Sequence, residues 1–315
     1  MTTALPTVEL PSGVIEYATY GPDDSAHPPV VFVHGAVVDH RLWEPTARLL
    51  AERGFRCHVP LMPLGSHRIP LGPGADRSPR GMSKLLREFV DRFDLSDATL
   101  VANDSGGAIT QFALDDDPAF VSRLVFTNCD AFDLFPPQPF RLYFALMKHR
   151  LLLKPLAEAM RLRALRHSAL GVGLLLNDPD PDLTGSVFEP LQRDVRIRND
   201  FIAFLRGIRP AELAQITPRM SRVDLPVRMV WGRDDRCFTP AHGRRLAAVF
   251  PGGAPFVEVP DARTFVSLDQ PQILADEIIE LTVGERTAPV TARRTAQVFS
   301  ATGVGSSGPA ATIEM

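Results

Sequence analysis

The chain has 315 residues, 45% hydrophobic and 23% charged, with a net charge of −3. This composition is that of a soluble globular protein, long enough for one large α/β domain or two ordinary ones. The mild negative charge argues against a nucleic-acid partner held by phosphate neutralisation. Cys57, Cys129 and Cys237 are odd in number, widely spaced and without a CxxC pair. They read as reduced, buried thiols of a cytoplasmic protein. The opening MTTALPTVELPSG has neither the basic nor the apolar region of a secretion signal. No apolar run approaches the ~20 residues of a membrane span.

In chain order, short β-like runs alternate with helical patterns. Strands are predicted at 14–20, 29–35, 56–60, 98–104, 121–128, 226–232 and 255–260. Several are continuous apolar runs, as expected of parallel strands buried on both faces. Amphipathic helices are predicted at 42–54 and 80–93. The βαβα order implies an α/β fold with a mostly parallel sheet flanked by helices.

The alternation stops at 133–222, which is helical, rich in Leu and Arg and without a good strand. It reads as an inserted lid over the C-terminal edge of the sheet, dividing the core into 1–132 and 223–283. Within it, 141–167 carries seven Lys and Arg against Glu158 alone, read as a solvated outer face. From 284 to 315 the sequence is small and polar, the pattern of a disordered tail.

Three motifs carry chemistry. In VFVHGAVVDHRLW (31–43), a strand runs into His-Gly and a loop, where the Ala36 N–H is placed to meet a developing oxyanion. His34 is read as a brace for that loop. In LVANDSGGAITQ (100–111), a strand, a tight turn and a helix starting at the glycines have the form of a nucleophile elbow. Such a turn needs small residues two before and two after the reactive one. Asp104 has Ala102 and Gly106 there, whereas Ser105 would have Asn103 and Gly107. The spacing therefore selects Asp104, with the Ser105 N–H as second oxyanion donor. In VRMVWGRDDRCF (227–238), Asp235 is the candidate acid, and Asp130, after another strand, is an alternative.

These motifs, in this order over residues 10–283, resemble the α/β-hydrolase fold superfamily. The elbow is most similar to its Asp-nucleophile branch, the haloalkane dehalogenases and epoxide hydrolases. The resemblance implies an ester formed on Asp104 and then hydrolysed with the help of a histidine. Three positions depart from that pattern. Ser105 and Ala36 stand where dehalogenases place the Trp and Asn that hold the halide. Only one tyrosine, Tyr143, falls in the insertion, where epoxide hydrolases use two. Aligning Pro260-Asp261-Ala262 and Phe265 puts Thr264 where the family has its catalytic histidine, and Thr264 cannot take a proton near neutral pH. His40, His67, His149 and His167 are the candidates to replace it.

The sequence thus points to a hydrolase acting on a small, mostly apolar molecule, with Asp104 as nucleophile or direct base. Two alternatives stand beside it: a non-hydrolytic isomerase, lyase or cyclase using Asp104 as base, and an inactive small-molecule-binding protein. No dinucleotide fingerprint, phosphate loop or metal motif occurs, so neither cofactor nor metal is expected; the sequence leaves oligomeric state open.

Overall fold

The computed structural model describes residues 4–284; beyond Gly284, the expectation of a disordered tail falls outside them. Eight strands form one sheet: β1 (Thr7–Leu10), β2 (Gly13–Tyr20), β3 (Val30–Val33), β4 (Cys57–Pro60), β5 (Thr99–Asp104), β6 (Arg123–Cys129), β7 (Val227–Gly232) and β8 (Phe256–Val259). Their spatial order is β1-β2-β4-β3-β5-β6-β7-β8. The β1/β2 and β2/β4 pairs are antiparallel, and the pairs from β4 through β8 are parallel. The central strands bury every residue of VVFV and nearly all of TLVAND and RLVFTNC. Both of their faces are covered, which is why the sequence shows unbroken apolar runs there.

Helices flank the sheet on both sides. They are α1 (Glu44–Glu52), α2 (Pro79–Arg92), α3 (Ser105–Asp116), α4 (Phe140–Met147), α5 (Arg150–Ala159), α6 (Arg163–Arg166), α7 (Pro181–Ser186), α8 (Glu189–Arg193), α9 (Val195–Gly207), α10 (Pro210–Ile216), α11 (Pro240–Ala247), α12 (Val266–Asp269) and α13 (Pro271–Gly284). Two apolar cores result. In one, α2 and α3 pack with Phe89, Phe112 and Leu100, and the core continues into α5, α8 and α9. In the other, α1 and α13 pack with Phe32, Trp43 and Ile278. Helix starts carry their own signals. Ser78 accepts from the Gly81 N–H ahead of Pro79, and Thr239 accepts from the His242 N–H ahead of Pro240.

The segment from α4 to α10 is helical, as the sequence predicts. Its last part returns to the sheet, since α10 packs against α3 and Thr217 donates to Gln111 Oε1 at 2.7 Å. The N-terminal strand β1 was not predicted. It is only four residues long and buries just its alternate residues, Val8 and Leu10.

Candidate active site

The loops at the C-terminal ends of β3, β5, β6 and β7 converge on one point. Asp104 ends β5 and caps α3 with φ 51° and ψ −131°. This is left-handed backbone that a non-glycine residue adopts only when its surroundings impose it. Those surroundings are tight. A Cβ on Gly106 would strike the carbonyls of Val33 and His34, and one on Gly107 would strike Cys129. A Cβ on Gly35 would overlap the Asp104 carboxyl itself. The small-residue spacing that selected Asp104 thus corresponds to real close approaches. Val37 and Phe132, on the loops after β3 and β6, also have positive φ, at 55° and 56°. Backbone strain is gathered around this point.

The Asp104 carboxyl faces a cavity of about 590 Å3, its mouth included. Ala36, Val37, Val38 and Phe238 supply the core side of the wall. Opposite them, the inserted helices and their connections contribute Phe140, Tyr143, Phe144, Met160, Val172 and Phe188, among others. Burial, and secondarily the charge of Asp235, raise the Asp104 carboxyl to about 7, while the Ser105 amide pulls it the other way. Tyr143 places a buried hydroxyl in this wall with no hydrogen-bond partner among the described residues, and burial pushes it up to about 12. The amide of Ala36 donates to no protein group among the described residues, whereas its neighbour Val37 donates to the Leu64 carbonyl at 3.0 Å.

Asp235 lies behind Asp104, buried. Its carboxylate accepts from Asn128 Nδ2 at 2.7 Å, Thr264 Oγ1 at 2.9 Å, and the Cys237 and Phe238 amides at 2.6 and 3.1 Å. Desolvation still lifts it to about 6 against those four donors. Thr264 is fully buried and occupies the aligned histidine position beside the acid. Asp130, the alternative acid, is also fully buried. Neither of its carboxyl oxygens makes a well-formed hydrogen bond among the described residues; burial with the neighbouring Asp104 drives it well above the carboxylate range, opposed by the nearby Ser105 hydroxyl.

Among the described residues, no histidine lines the cavity. His34 accepts from the Met62 N–H through Nε2 at 2.9 Å and donates through Nδ1 to the Gly35 carbonyl at 2.8 Å, so it braces the loop as expected. His40 sits against Asp39. His67 meets Asp200 at 3.3 Å, His167 meets Thr184 at 2.9 Å, and His149 is exposed. None of the four candidate replacements stands beside Asp104 in the cavity wall.

Two residues not anticipated from the sequence hold the site together. Asn128 ties β6 to β7: it bonds Asp235, donates to the Gly232 and Phe238 carbonyls, and accepts from the Gly232 amide at 2.7 Å. Asn103 donates to Thr127 Oγ1 and to the carbonyls of Asn128 and Thr264, the last at 2.7 Å. The available signal was a polar residue at the end of an otherwise apolar strand.

A mostly parallel sheet with a strained carboxylate elbow, a glycine-bearing loop beside it and an acid after β7 defines a class of α/β folds with a reaction site at the strands' C-terminal ends. The model of the alpha/beta hydrolase fold family matches residues 28–271, and the chain belongs to that family. A 2-hydroxy-6-oxononadienedioate/2-hydroxy-6-oxononatrienedioate hydrolase of Escherichia coli (strain SE11) is 24% identical over 231 residues, 71% of this chain and 76% of that protein. An alpha/beta hydrolase fold protein from Burkholderia ambifaria superposes with a TM-score of 0.71 at 24% identity, over 89% of this chain and 98% of its own. The haloalkane dehalogenase DbeA from Bradyrhizobium elkani USDA94 gives 0.70 at 17% identity, over 91% and 99%. At these identities the likeness to the solved structures is one of fold. By family the chain is placed among hydrolases, and no described helix is long and apolar enough to cross a membrane.

Proposed function

We propose that the protein is a hydrolase of small, mostly apolar, uncharged molecules, with Asp104 acting directly as the general base and the inserted helices serving as a lid. The observation that carries this reading is the state of Asp104. Its carboxyl is raised to about 7 and faces a cavity whose walls hold no imidazole. A carboxyl titrating near neutral pH suits proton abstraction. An ester on Asp104 would need a second base to be hydrolysed, and Thr264 cannot be that base.

In the proposed reaction, ionised Asp104 removes a proton from water as the water oxygen bonds to the electrophilic carbon. The developing oxyanion is met by the Ala36 amide, joined by the Ser105 amide as Asp104 takes up the proton and its carboxyl releases that N–H. The carbon–leaving-group bond then breaks, and Asp104 returns the proton to the leaving group. Tyr143 supplies a hydroxyl from the lid to orient the substrate. Asp235, held by Asn128 and Thr264, contributes a fixed negative charge that keeps Asp104 basic. The Escherichia coli relative is named for a dioate, a doubly charged substrate. Among the described residues no Arg or Lys lines the cavity here, which favours an uncharged one.

The test is single turnover in 18O-water with whichever member of a panel of esters, lactones, epoxides and alkyl halides is consumed. Label in the product and none in the Asp104 peptide is expected. Label in that peptide would establish a covalent ester instead. Replacing Asp104 with Asn should cost about 10²–10⁴ in rate.

The same carboxyl, beside two backbone donors in an apolar cavity, also favours a second reading: proton abstraction next to a carbonyl, in an isomerase, lyase or cyclase. Deuterium entering a substrate from D2O without cleavage would select it.

A further inference from the structure

We infer that Asp130 and Asp104 hold one proton between them, so that Asp130 takes the part of proton partner that an imidazole would otherwise fill. The inference deepens the proposed role of Asp104 and begins from the geometry of two adjacent strand ends.

After the register shift between Ala102 and Asp104, β5 and β6 set Asp104 opposite Cys129, one residue before Asp130. The Asp130 amide donates to the Asp104 carbonyl at 3.2 Å. The missing Cβ of Gly107 leaves room for Cys129 to press against the start of α3. Gln111 donates to the Asp130 carbonyl at 2.8 Å and is itself held by Thr217. The backbone of Asp130 is therefore fixed on both sides, while its carboxyl, fully out of solvent, makes no well-formed hydrogen bond at either oxygen among the described residues and has the Ser105 hydroxyl as its nearby donor.

A buried carboxylate with no more than one poorly aligned donor is a costly species, and a buried carboxylic acid is a much cheaper one. The charged and titratable groups that bear on the pair are Asp235 from the β7 loop and the thiols of Cys129 and Cys237. Only the Ser105 amide and hydroxyl oppose them. The imidazole of His242, against the Cys129 backbone, is held neutral by burial, which lowers it to about 4, so it supplies no compensating charge. Two enclosed carboxyls on neighbouring strand ends, acting on each other's charge, do not both ionise readily in such a place. Asp130 is the more deeply enclosed and keeps the proton, and Asp104, open to the cavity, carries the charge. A protonated Asp130 steadies the Asp104 carboxylate without contributing a second negative charge. Asp130 reaches no cavity surface, so it acts through Asp104 as a positioning residue.

The experiment is a 13C NMR titration of carboxyl-labelled aspartates from pH 4 to 9, on wild type, Asp130→Asn and Asp104→Asn, each first shown to melt cooperatively. In wild type, one carboxyl should remain protonated at pH 7, and both resonances should move in the same titration step. Each variant should leave a single carboxyl whose midpoint lies at least about one pH unit from its wild-type value. If the two carboxyls titrate independently, each unmoved by loss of the other, the shared proton is refuted. If Asp130→Asn does not fold, Asp104→Asn still decides the matter through the resonance of Asp130. No substrate enters the measurement, so the inference and the proposed hydrolysis stand or fall separately.

Discussion

Gly35 lacks a side chain because the Asp104 carboxyl occupies the space one would fill. Gly35→Ala should therefore turn Asp104 out of the cavity and lower turnover about 100-fold or more. The added methyl also meets the Asp104 Cβ, which turning the carboxyl does not move, so a stability cost of at least about 1–3 kcal/mol should accompany the loss. At Gly106 the same methyl meets the carbonyls of Val33 and His34. Neither can move without distorting β3, so Gly106→Ala should cost more and give little soluble protein. Chemical denaturation of both variants, with activity measured on the first, checks the contrast. These glycines show why the elbow could be read from sequence: close backbone approach constrains residue size at fixed offsets from Asp104. Asn103 shows the limit. Within the spacing rule it was merely the residue that spoiled Ser105. Its clamp on the Thr264 carbonyl spans 161 positions of chain, and no local pattern encodes such a partner.

At the scale of elements, the junction of β6 and β7 bears the weight of the site. Asn128 supplies both an acceptor for the Gly232 amide and donors to Asp235 and two carbonyls. Asn128→Ala leaves a buried amide and a buried carboxylate short of partners. A loss of about 2–4 kcal/mol is expected, since each orphaned buried group costs roughly 1–3 kcal/mol. Urea unfolding with an unchanged m-value would confirm that stability, not compactness, has changed. Tyr143→Phe on α4 should behave oppositely. Its hydroxyl has no partner, so the ligand-free protein should melt at the same temperature or slightly higher, while KM rises if that hydroxyl orients substrate. The central strands were legible because burial on both faces writes itself as an apolar run. The four-residue β1 was not, because its partner β2 and the turn between them, rather than its own pattern, make it a strand. The insertion was legible as helical, but sequence could not show that its residues furnish most of the cavity wall.

For the whole molecule, two sets of buried groups oppose each other between pH 4 and 8, while the buried Asp39 and Asp200 carboxyls, held below their ordinary value, stay ionised there. His34, His58 and His242 are pushed down to about 4, by burial first in each case. The unfolded chain binds their protons near 6.5 and the folded protein does not, so their contribution is present above pH 6.5 and is lost as pH falls towards 4. Asp104 and Asp235 are raised to about 7 and 6, and Asp130 is raised well above the usual carboxylate range. The folded protein holds their protons after the unfolded chain has released them. Their contribution is therefore complete below about 3.8 and is lost as pH rises through 6 to 7. Between pH 4 and 6.5 the two slopes have opposite signs and largely cancel, so wild-type stability should be nearly flat there. Removing one acid tilts the balance. Asp104→Asn should be no more stable than wild type at pH 4, more stable at pH 6, and more stable still by pH 8, where the gain levels off at a few kcal/mol, on the order of one pKa unit per ~1.4 kcal/mol. Denaturant melts of both proteins at the three pH values check it. A gain independent of pH would mean that Asp104 is not held away from its ordinary titration by the fold. A gain growing with pH would mean that the ionised elbow is maintained at the expense of stability, as the proposed role of Asp104 as a base facing an apolar cavity requires.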